Sequence, residues 1–281
     1  NNFKIGYEYS DLFVDDARLV LLNAEDAINR GAKVLTNTSI ISTKRNKNDW
    51  EIVLNTGETL KSKVIVNATG PYAVDVLKNV FDINSKKKLR LIQGSHIVVN
   101  KIYEGEQSYI LQLNDKRIIF LIPYLNKYTL IGTTDHEVSS YENPKITEKE
   151  KQYLINSVNE FIESKISNKN IVWTYAGVRP LVEDFNEKAS KITRDYTFEI
   201  NDAQAPILTI FGGKLTTYRK LAEHALSKLT NYLNFPDSSW TGKEILPGGN
   251  IALKSKLNIP KKMISRLENI YGDKIYRLNE F

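Results

Sequence analysis

With 281 residues, 41% of them hydrophobic and 26% charged, the chain is long enough for one large or two modest domains with a sizeable core. It has no cysteine, which excludes disulfides and thiolate metal sites, and its three histidines, His96, His136 and His224, are too scattered for a zinc site. The net charge of +6 favours anionic partners: a phosphorylated substrate, a nucleotide cofactor or an acidic lipid surface. Nucleic acid is not expected, because the basic residues are spread along the chain and the one compact run, Lys86-Lys87-Lys88, reads as a solvated loop.

No apolar run approaches the roughly 18 residues of a spanning helix, and the densest, 118–124, is strand-length. Integral insertion is therefore not expected, while attachment to a membrane surface stays open. The sequence begins Asn1-Asn2 and shows no signal-peptide pattern, so it reads as cut from something longer.

In chain order, Asp15 is placed to cap a helix over 16–30, whose apolar residues Ala17, Val20, Leu21, Ala24, Ala27 and Ile28 recur at helical spacing before Gly31. Strand-like pieces follow at 33–35, 39–44, 50–54 and 59–61, with the turn Asn55-Thr56-Gly57-Glu58 before the last. Val64-Ile65-Val66-Asn67 is an apolar run suited to a strand buried on both faces. From 89 to about 200 the pattern becomes strands at 91–92, 95–99, 108–113, 117–123 and 128–132. A helix over 147–164 interrupts them, with Thr147 and Glu150 spaced for a capping box. That composition predicts a mostly antiparallel sheet with a helix on it. A second buried strand at 207–211 leads through Gly212-Gly213 into a helical stretch over 215–233. A Pro- and Gly-bearing linker at 235–249 then precedes a helical tail.

Four features carry chemistry. The strand 64–67 ends in Ala68-Thr69-Gly70-Pro71, a small-residue turn that lets backbone approach a ligand at the position where open α/β sheets receive cofactors. An ordinary strand-to-helix turn is the alternative. Phe211-Gly212-Gly213-Lys214-Leu215-Thr216-Thr217 repeats the arrangement with a helix expected at once, so its first-turn N–H groups would favour negative charge. It lacks the glycine spacing of a Walker loop. Arg179, Arg194 and Lys214 stand beside strand or turn signals and suit phosphate or carboxylate, although each taken singly also fits a surface ion pair. His96 opens the strand Ile97-Val98-Val99 and fits either a general base or a hydrogen-bonded histidine at a sheet margin. His136 and His224 receive no role.

Together these segments resemble a known family. Gly6-Tyr7-Glu8-Tyr9-Ser10-Asp11, Val14 to Leu19, Val66 to Pro71, Gly94 to Val99, Ile131-Gly132-Thr133-Thr134-Asp135, Trp173 to Leu181, Ile192 to Tyr196 and Gly212 to His224 occur in the order found in the aerobic, respiratory glycerol-3-phosphate dehydrogenases. These are FAD enzymes of the glycine oxidase and D-amino-acid oxidase superfamily, and the resemblance spans about residues 5–250. It implies an α/β fold (α+β overall): an FAD-binding domain at 1–90 and 204–234, an inserted antiparallel substrate domain at 91–203, and the start of a helical domain at 245–281. FAD would pass Ala68, Thr69 and Gly70 near its ribityl and pyrophosphate portion, and its ring would meet Gly212, Gly213, Lys214, Leu215, Thr216 and Thr217. Arg179, Arg194 and Lys214 would hold the substrate phosphate and hydroxyls, with His96 and Arg179 as the catalytic pair.

The implied reaction is oxidation of sn-glycerol 3-phosphate to dihydroxyacetone phosphate by hydride transfer to flavin N5, with electrons passed to quinone. The inserted segment of the oxygen-using relatives is not seen, which favours quinone. A cytoplasmic chain, peripheral on the inner membrane face, fits the basic charge, and a homodimer is compatible. The N-terminal Gly-x-Gly-x-x-Gly strand and acidic ribose ligand of the family are missing, as is most of its C-terminal helical domain. Two alternatives stand beside this reading: another amine or amino-acid oxidase of the superfamily, and a truncated, non-catalytic remnant.

Overall fold

The computed structural model describes residues 5–182, 195–235, 239–250 and 259–275. They divide into two compact units, one of residues 1–38 and 238–281 and one of residues 39–237.

In the first unit, helix α1 (Asp16–Asn29) starts where expected. The Asp15 carboxylate accepts the Arg18 backbone N–H at 3.0 Å and so satisfies one of the donors a helix start leaves unpaired. Helix α5 (Lys261–Tyr271) belongs to the same unit. Lys274 pairs with Glu25, the Arg18 guanidinium lies 4.7 Å over the Tyr271 ring, and Arg30 bonds Glu244 at 3.1 Å. The strand expected at 33–35 is coil.

The second unit holds three sheets. Strands β1 (Ile40–Arg45), β2 (Trp50–Leu54) and β3 (Thr59–Ser62) form an antiparallel meander. The strict alternation of β2 buries Trp50, Ile52 and Leu54 against Ile65, Phe81, Ile83, Ile207 and Leu77 of helix α2 (Ala73–Asn79). In the second sheet, β4 (Ile65–Asn67) runs parallel to β12 (Ile207–Phe211), with Ile65 opposite Ile207 and Asn67 opposite Thr209, and β11 (Thr197–Asn201) is antiparallel on the other side of β12.

Among the described residues strand β4 is thus an edge, and only one of its faces is covered. Ile65 and Asn67 are buried, but Val66 is 46% exposed, which corrects the expected two-sided burial. The two-sided strand is β12. Its Ile207 packs into the meander core, while Leu208 packs on Ala225 and Leu229, in and just beyond helix α4 (Tyr218–Ser227).

The third sheet has the order β10-β5-β8-β7-β6, with β9 also pairing β5, and every pairing is antiparallel. Its strands are β5 (Leu89–Asn100), β6 (Tyr109–Gln112), β7 (Ile118–Tyr124), β8 (Tyr128–Gly132), β9 (His136–Val138) and β10 (Ile171–Val182). Helix α3 (Glu148–Asn159) covers one face, where Leu154, Ile155 and Val158 meet Ile97, Val99, Ile119, Leu121 and Ile131. Odd residues of β5 therefore face the helix, and even residues, among them Gly94 and His96, face the opposite side.

The capping box of Thr147 and Glu150 forms as the sequence predicts. The helix stops at Asn159 rather than at 164, because the Asn159 side chain bonds both the N–H (2.9 Å) and the carbonyl (2.8 Å) of Ile166 and folds the chain back. The helical stretch expected over 215–233 resolves into a 3₁₀ turn (Leu215–Thr217), α4 and a series of turns.

Candidate active site

Because β4 and β12 are parallel neighbours, their carboxyl ends lie on one edge of the sheet, and the two glycine turns found in the sequence leave from that edge. The first turn is held from within. Asn67, 2% exposed, donates from Nδ2 to the Ala73 carbonyl at 2.9 Å and accepts the Thr69 hydroxyl at 2.7 Å. Ala68 and Thr69 are exposed, and Gly70 (φ 60°) has open space where a side chain would stand. A ligand could therefore lie directly on this backbone.

The second turn is more tightly fixed. At Gly212 (φ 71°) a Cβ would come within 2.8 Å of the Asp195 carbonyl oxygen and 3.6 Å of that of Pro180. At Gly213 (φ 105°) it would meet Leu221 at 2.9 Å. Lys214, Leu215 and Thr216 are exposed beyond them and Thr217 is half-buried. The helix expected to begin at once starts only at Tyr218, after the 3₁₀ turn in which the Thr217 N–H bonds the Lys214 carbonyl at 3.1 Å. The N–H groups nearest the glycines thus belong to a single 3₁₀ turn, and the dipole of α4 is set back from them.

Strand β10 connects these turns to the antiparallel sheet. It packs against Gly70–Tyr72 and against β12, and it carries Arg179. The Arg179 guanidinium lies flat over Gly94 of β5, where a Cβ would fall 2.3–2.6 Å from its terminal atoms. Its Nη1 donates to Asp135 Oδ1 at 2.9 Å and its Nη2 to Thr133 Oγ1 at 3.1 Å. Four positions before Arg179 on the same face of β10, Tyr175 stands directly opposite His96, and their rings stack at 4.7 Å with 7° between planes. The other side of the His96 ring rests on Gly132, whose missing Cβ would lie 2.0 Å from Cδ2.

Burial, and after it the positive charge of Arg179, pushes the His96 pKa down to about 4, so the imidazole is neutral at physiological pH. Its Nδ1 is buried with no hydrogen-bond partner among the described residues. An unmet buried polar atom in a folded protein calls for a functional account. The result is a face paved by Gly94, Gly132 and Gly177, with a neutral base and a bracketed cation standing on it.

Of the residues singled out in the sequence, the structure brings His96 and Arg179 onto one face and sets the turns 68–70 and 212–217 at the end of β10. Lys214 sits exposed in the second turn, and Arg194 lies outside the described residues. Thr133, Asp135 and Tyr175 fall within the segments that resemble the family, but their residue types alone assign them no role. The usable signal was the alternation of β10, which puts Tyr175, Gly177 and Arg179 on one side. Among the described residues no three metal-ligating side chains cluster.

A parallel strand pair ending in side-chain-poor turns, joined by one long strand to an antiparallel sheet with a neutral base, is an α/β arrangement suited to receiving a cofactor at its strand ends. The family model described as FAD dependent oxidoreductase matches residues 1–219, and the chain belongs to that family. Aerobic glycerol-3-phosphate dehydrogenase of Escherichia coli is 46% identical over 256 residues, covering 88% of this chain and 51% of that protein. D-erythritol 1-phosphate dehydrogenase of Brucella abortus is 42% identical over 254 residues, covering 88% of this chain and 51% of that protein. The chain thus spans about half the length of the curated relatives it matches. Among solved structures, the glycerol-3-phosphate dehydrogenase of Bacillus halodurans complexed with FAD superimposes with a TM-score of 0.78 at 27% identity, over 94% of this chain and 55% of that one.

The residues present fit such a cofactor: Gly70 and Gly212 hold positive φ at adjacent strand ends, and Gly70 leaves its side-chain volume open. No Gly-x-Gly-x-x-Gly fingerprint for the adenosine end occurs in the sequence.

Proposed function

We propose that the protein takes part in the oxidation of sn-glycerol 3-phosphate to dihydroxyacetone phosphate, contributing the substrate sheet and the flavin end of an FAD site. The observation that carries this reading is the course of β10. One strand runs from the His96–Arg179 face to both glycine turns, so a substrate held on that face stands beside a cofactor held on the turns. Similarity to the E. coli and B. halodurans dehydrogenases supports the choice of substrate.

In this reading Ala68, Thr69 and Gly70 face the ribityl and pyrophosphate portion of FAD, and Gly212, Gly213, Lys214, Leu215, Thr216 and Thr217 face its ring. Bound FAD supplies the acceptor for a hydride from C2. Arg179, with Arg194 and Lys214, holds the phosphate and orients C2–H; its planar fork matches phosphate oxygens bidentately. His96, uncharged because it is buried beside Arg179, takes the C2 hydroxyl proton as the hydride leaves, and the alcohol carbon becomes a carbonyl.

The reading extends to quinone as electron acceptor, to peripheral attachment at the cytoplasmic membrane face and to a homodimer. The net charge of +6 supports the attachment, and no helix among the described residues is long and apolar enough to cross a membrane. The domain division 1–90 with 204–234, 91–203 and 245–281 belongs to the same proposal.

The test is spectroscopic. The purified chain is mixed with FAD, its visible bands are recorded, and sn-glycerol 3-phosphate is added without oxygen. Bands that bleach on addition are the expected result. A protein that stays colourless with added FAD, or whose flavin stays oxidised, overturns the proposal for this chain.

A further inference from the structure

Glu150 stands in the first turn of α3, 7% exposed, beneath the sheet face opposite to His96. Its two carboxylate oxygens take their hydroxyl partners from different residues, while Gln93 Nε2 reaches both, Oε1 at 3.4 Å. Oε2 accepts the backbone N–H and the hydroxyl of Thr147, each at 2.9 Å, and Gln93 Nε2 at 3.1 Å. That closes the capping box, and a cap needs nothing more. Oε1 accepts the hydroxyls of Ser95 and Thr134, each at 2.7 Å. These two residues are also tied to one another, the Ser95 N–H donating to Thr134 Oγ1 at 3.0 Å and the Thr134 N–H to the Ser95 carbonyl at 3.3 Å.

Both hydroxyl partners of Oε1 adjoin the candidate site in the chain. Ser95 directly precedes His96, and Thr134 lies between Thr133 and Asp135, the two groups that bracket Arg179. Ser95 and Thr134 are themselves 0% and 3% exposed, so no water competes for their hydroxyls. Burial raises the Glu150 pKa, but the bonds from Thr134, the Thr147 backbone and Ser95 outweigh it and hold it below the usual carboxylate value. An ionised carboxylate only accepts, so both hydroxyls must point at it. That leaves a Thr134 Oγ1 lone pair for the Ser95 N–H.

We infer that Glu150 is a positioning residue for the candidate active site: through Ser95 and Thr134, its Oε1 sets the His96 ring on Gly132 and the Thr133–Asp135 bracket around Arg179. The inference rests on the proposed roles of His96 and Arg179, yet it can be tested apart from them. Among the described residues, Arg179 acts on His96 through its charge and Tyr175 stacks on it, both from β10.

The experiment separates the two oxygens. Thr134→Val removes a hydroxyl from Oε1 and with it the acceptor of the Ser95 N–H, Thr134→Ser keeps both, and Thr147→Ala removes a hydroxyl from Oε2 together with the acceptor of the Glu150 N–H. Imidazole titrations are followed by NMR in the full chain, where three histidines give resolvable signals and His96→Gln assigns the one of interest. Flavin-loaded samples give kcat and KM for sn-glycerol 3-phosphate.

Thr134→Val is expected to move the His96 titration up from about 4 towards 6.5. It should also lower kcat/KM about tenfold or more, as small misplacements of reacting groups do. Thr134→Ser should behave as the parent. Thr147→Ala should lower the melting temperature and leave the His96 titration in place. If Thr134→Val leaves the titration unmoved, Glu150 is a helix cap alone and the inference is overturned. Should Thr134→Val fail to fold, Ser95→Ala probes the other arm of Oε1 with the same two outcomes. A parent chain that does not oxidise glycerol 3-phosphate defeats the proposed function, while the NMR comparison still decides the role of Glu150.

Discussion

Gly94→Ala tests whether Arg179 acts by lying flat on the sheet. An alanine Cβ at this position would stand 2.3 Å from Nη2, 2.5 Å from Nη1 and 2.6 Å from Cζ of Arg179. Unstrained heavy-atom contacts lie near ~3.5–4.0 Å, so the guanidinium must withdraw by about 1 Å or more. It can do so without disturbing β5, since it is the end of a flexible side chain on an edge strand. It cannot then keep both Asp135 at 2.9 Å and Thr133 at 3.1 Å.

The ion pair has side-chain exposures of 31% and 26%, so solvent screens it and its loss costs about 1 kcal/mol, or about 2–4 °C in Tm. The larger effect falls on the anion. Losing an aligned charge-assisted contact worth about 1.5–3 kcal/mol predicts a rise of about 10- to 150-fold in KM for sn-glycerol 3-phosphate. The assay is steady-state kinetics on the flavin-loaded protein, run in parallel on Arg179→Ala and the double variant. If Arg179 is the whole cause, Gly94→Ala adds nothing in the Arg179→Ala background. An unchanged KM in Gly94→Ala, or an equal further loss in the double variant, refutes the reasoning.

Trp50 is 0% exposed, meets the edge of Phe81 at 5.5 Å between centroids, and donates from Nε1 to the Pro206 carbonyl at 3.1 Å. Trp50→Ala should therefore destabilise by about 3–5 kcal/mol in urea unfolding, and a loss below about 1.5 kcal/mol would show that the meander core is not held by this ring. His96 has a folded pKa of about 4, below its ordinary 6.5, so between these values the unfolded chain takes up a proton that the folded chain refuses. Stability should fall as pH drops from 6.5 to about 4 and level off below, and His96→Gln should flatten that part of the profile. A slope that survives the substitution would assign the pH dependence to other groups.

Several parts of this structure were legible in the sequence because their causes are local. The Asp15 cap of α1 and the Thr147–Glu150 box of α3 join residues three positions apart, within a single helical turn. The alternation of β2 likewise states which face is buried. The two strand-to-turn segments at 67–70 and 211–217 were visible as apolar runs ending in glycine, and the resemblance to flavin dehydrogenases rested on short segments of this kind. Other readings failed where a partner decided the outcome. Val66 is apolar like its neighbours, yet it is exposed because β4, among the described residues, is an edge strand covered on one face. Asn159 ends α3 early by bonding a residue seven positions on.

The site itself was legible only as a set of residue types: a histidine, arginines and glycines near strand ends. Sheet register decided the rest. It set Tyr175 against His96, brought Arg179 over Gly94, and aligned β4 with β12 so that both glycine turns leave one edge. It also gave the second oxygen of a helix-capping glutamate a place beneath the site. Sequence spacing fixes what a residue can do within its own turn or strand. Which distant residue it meets depends on strand pairing, since a slip of one position would turn each of these side chains to the opposite face.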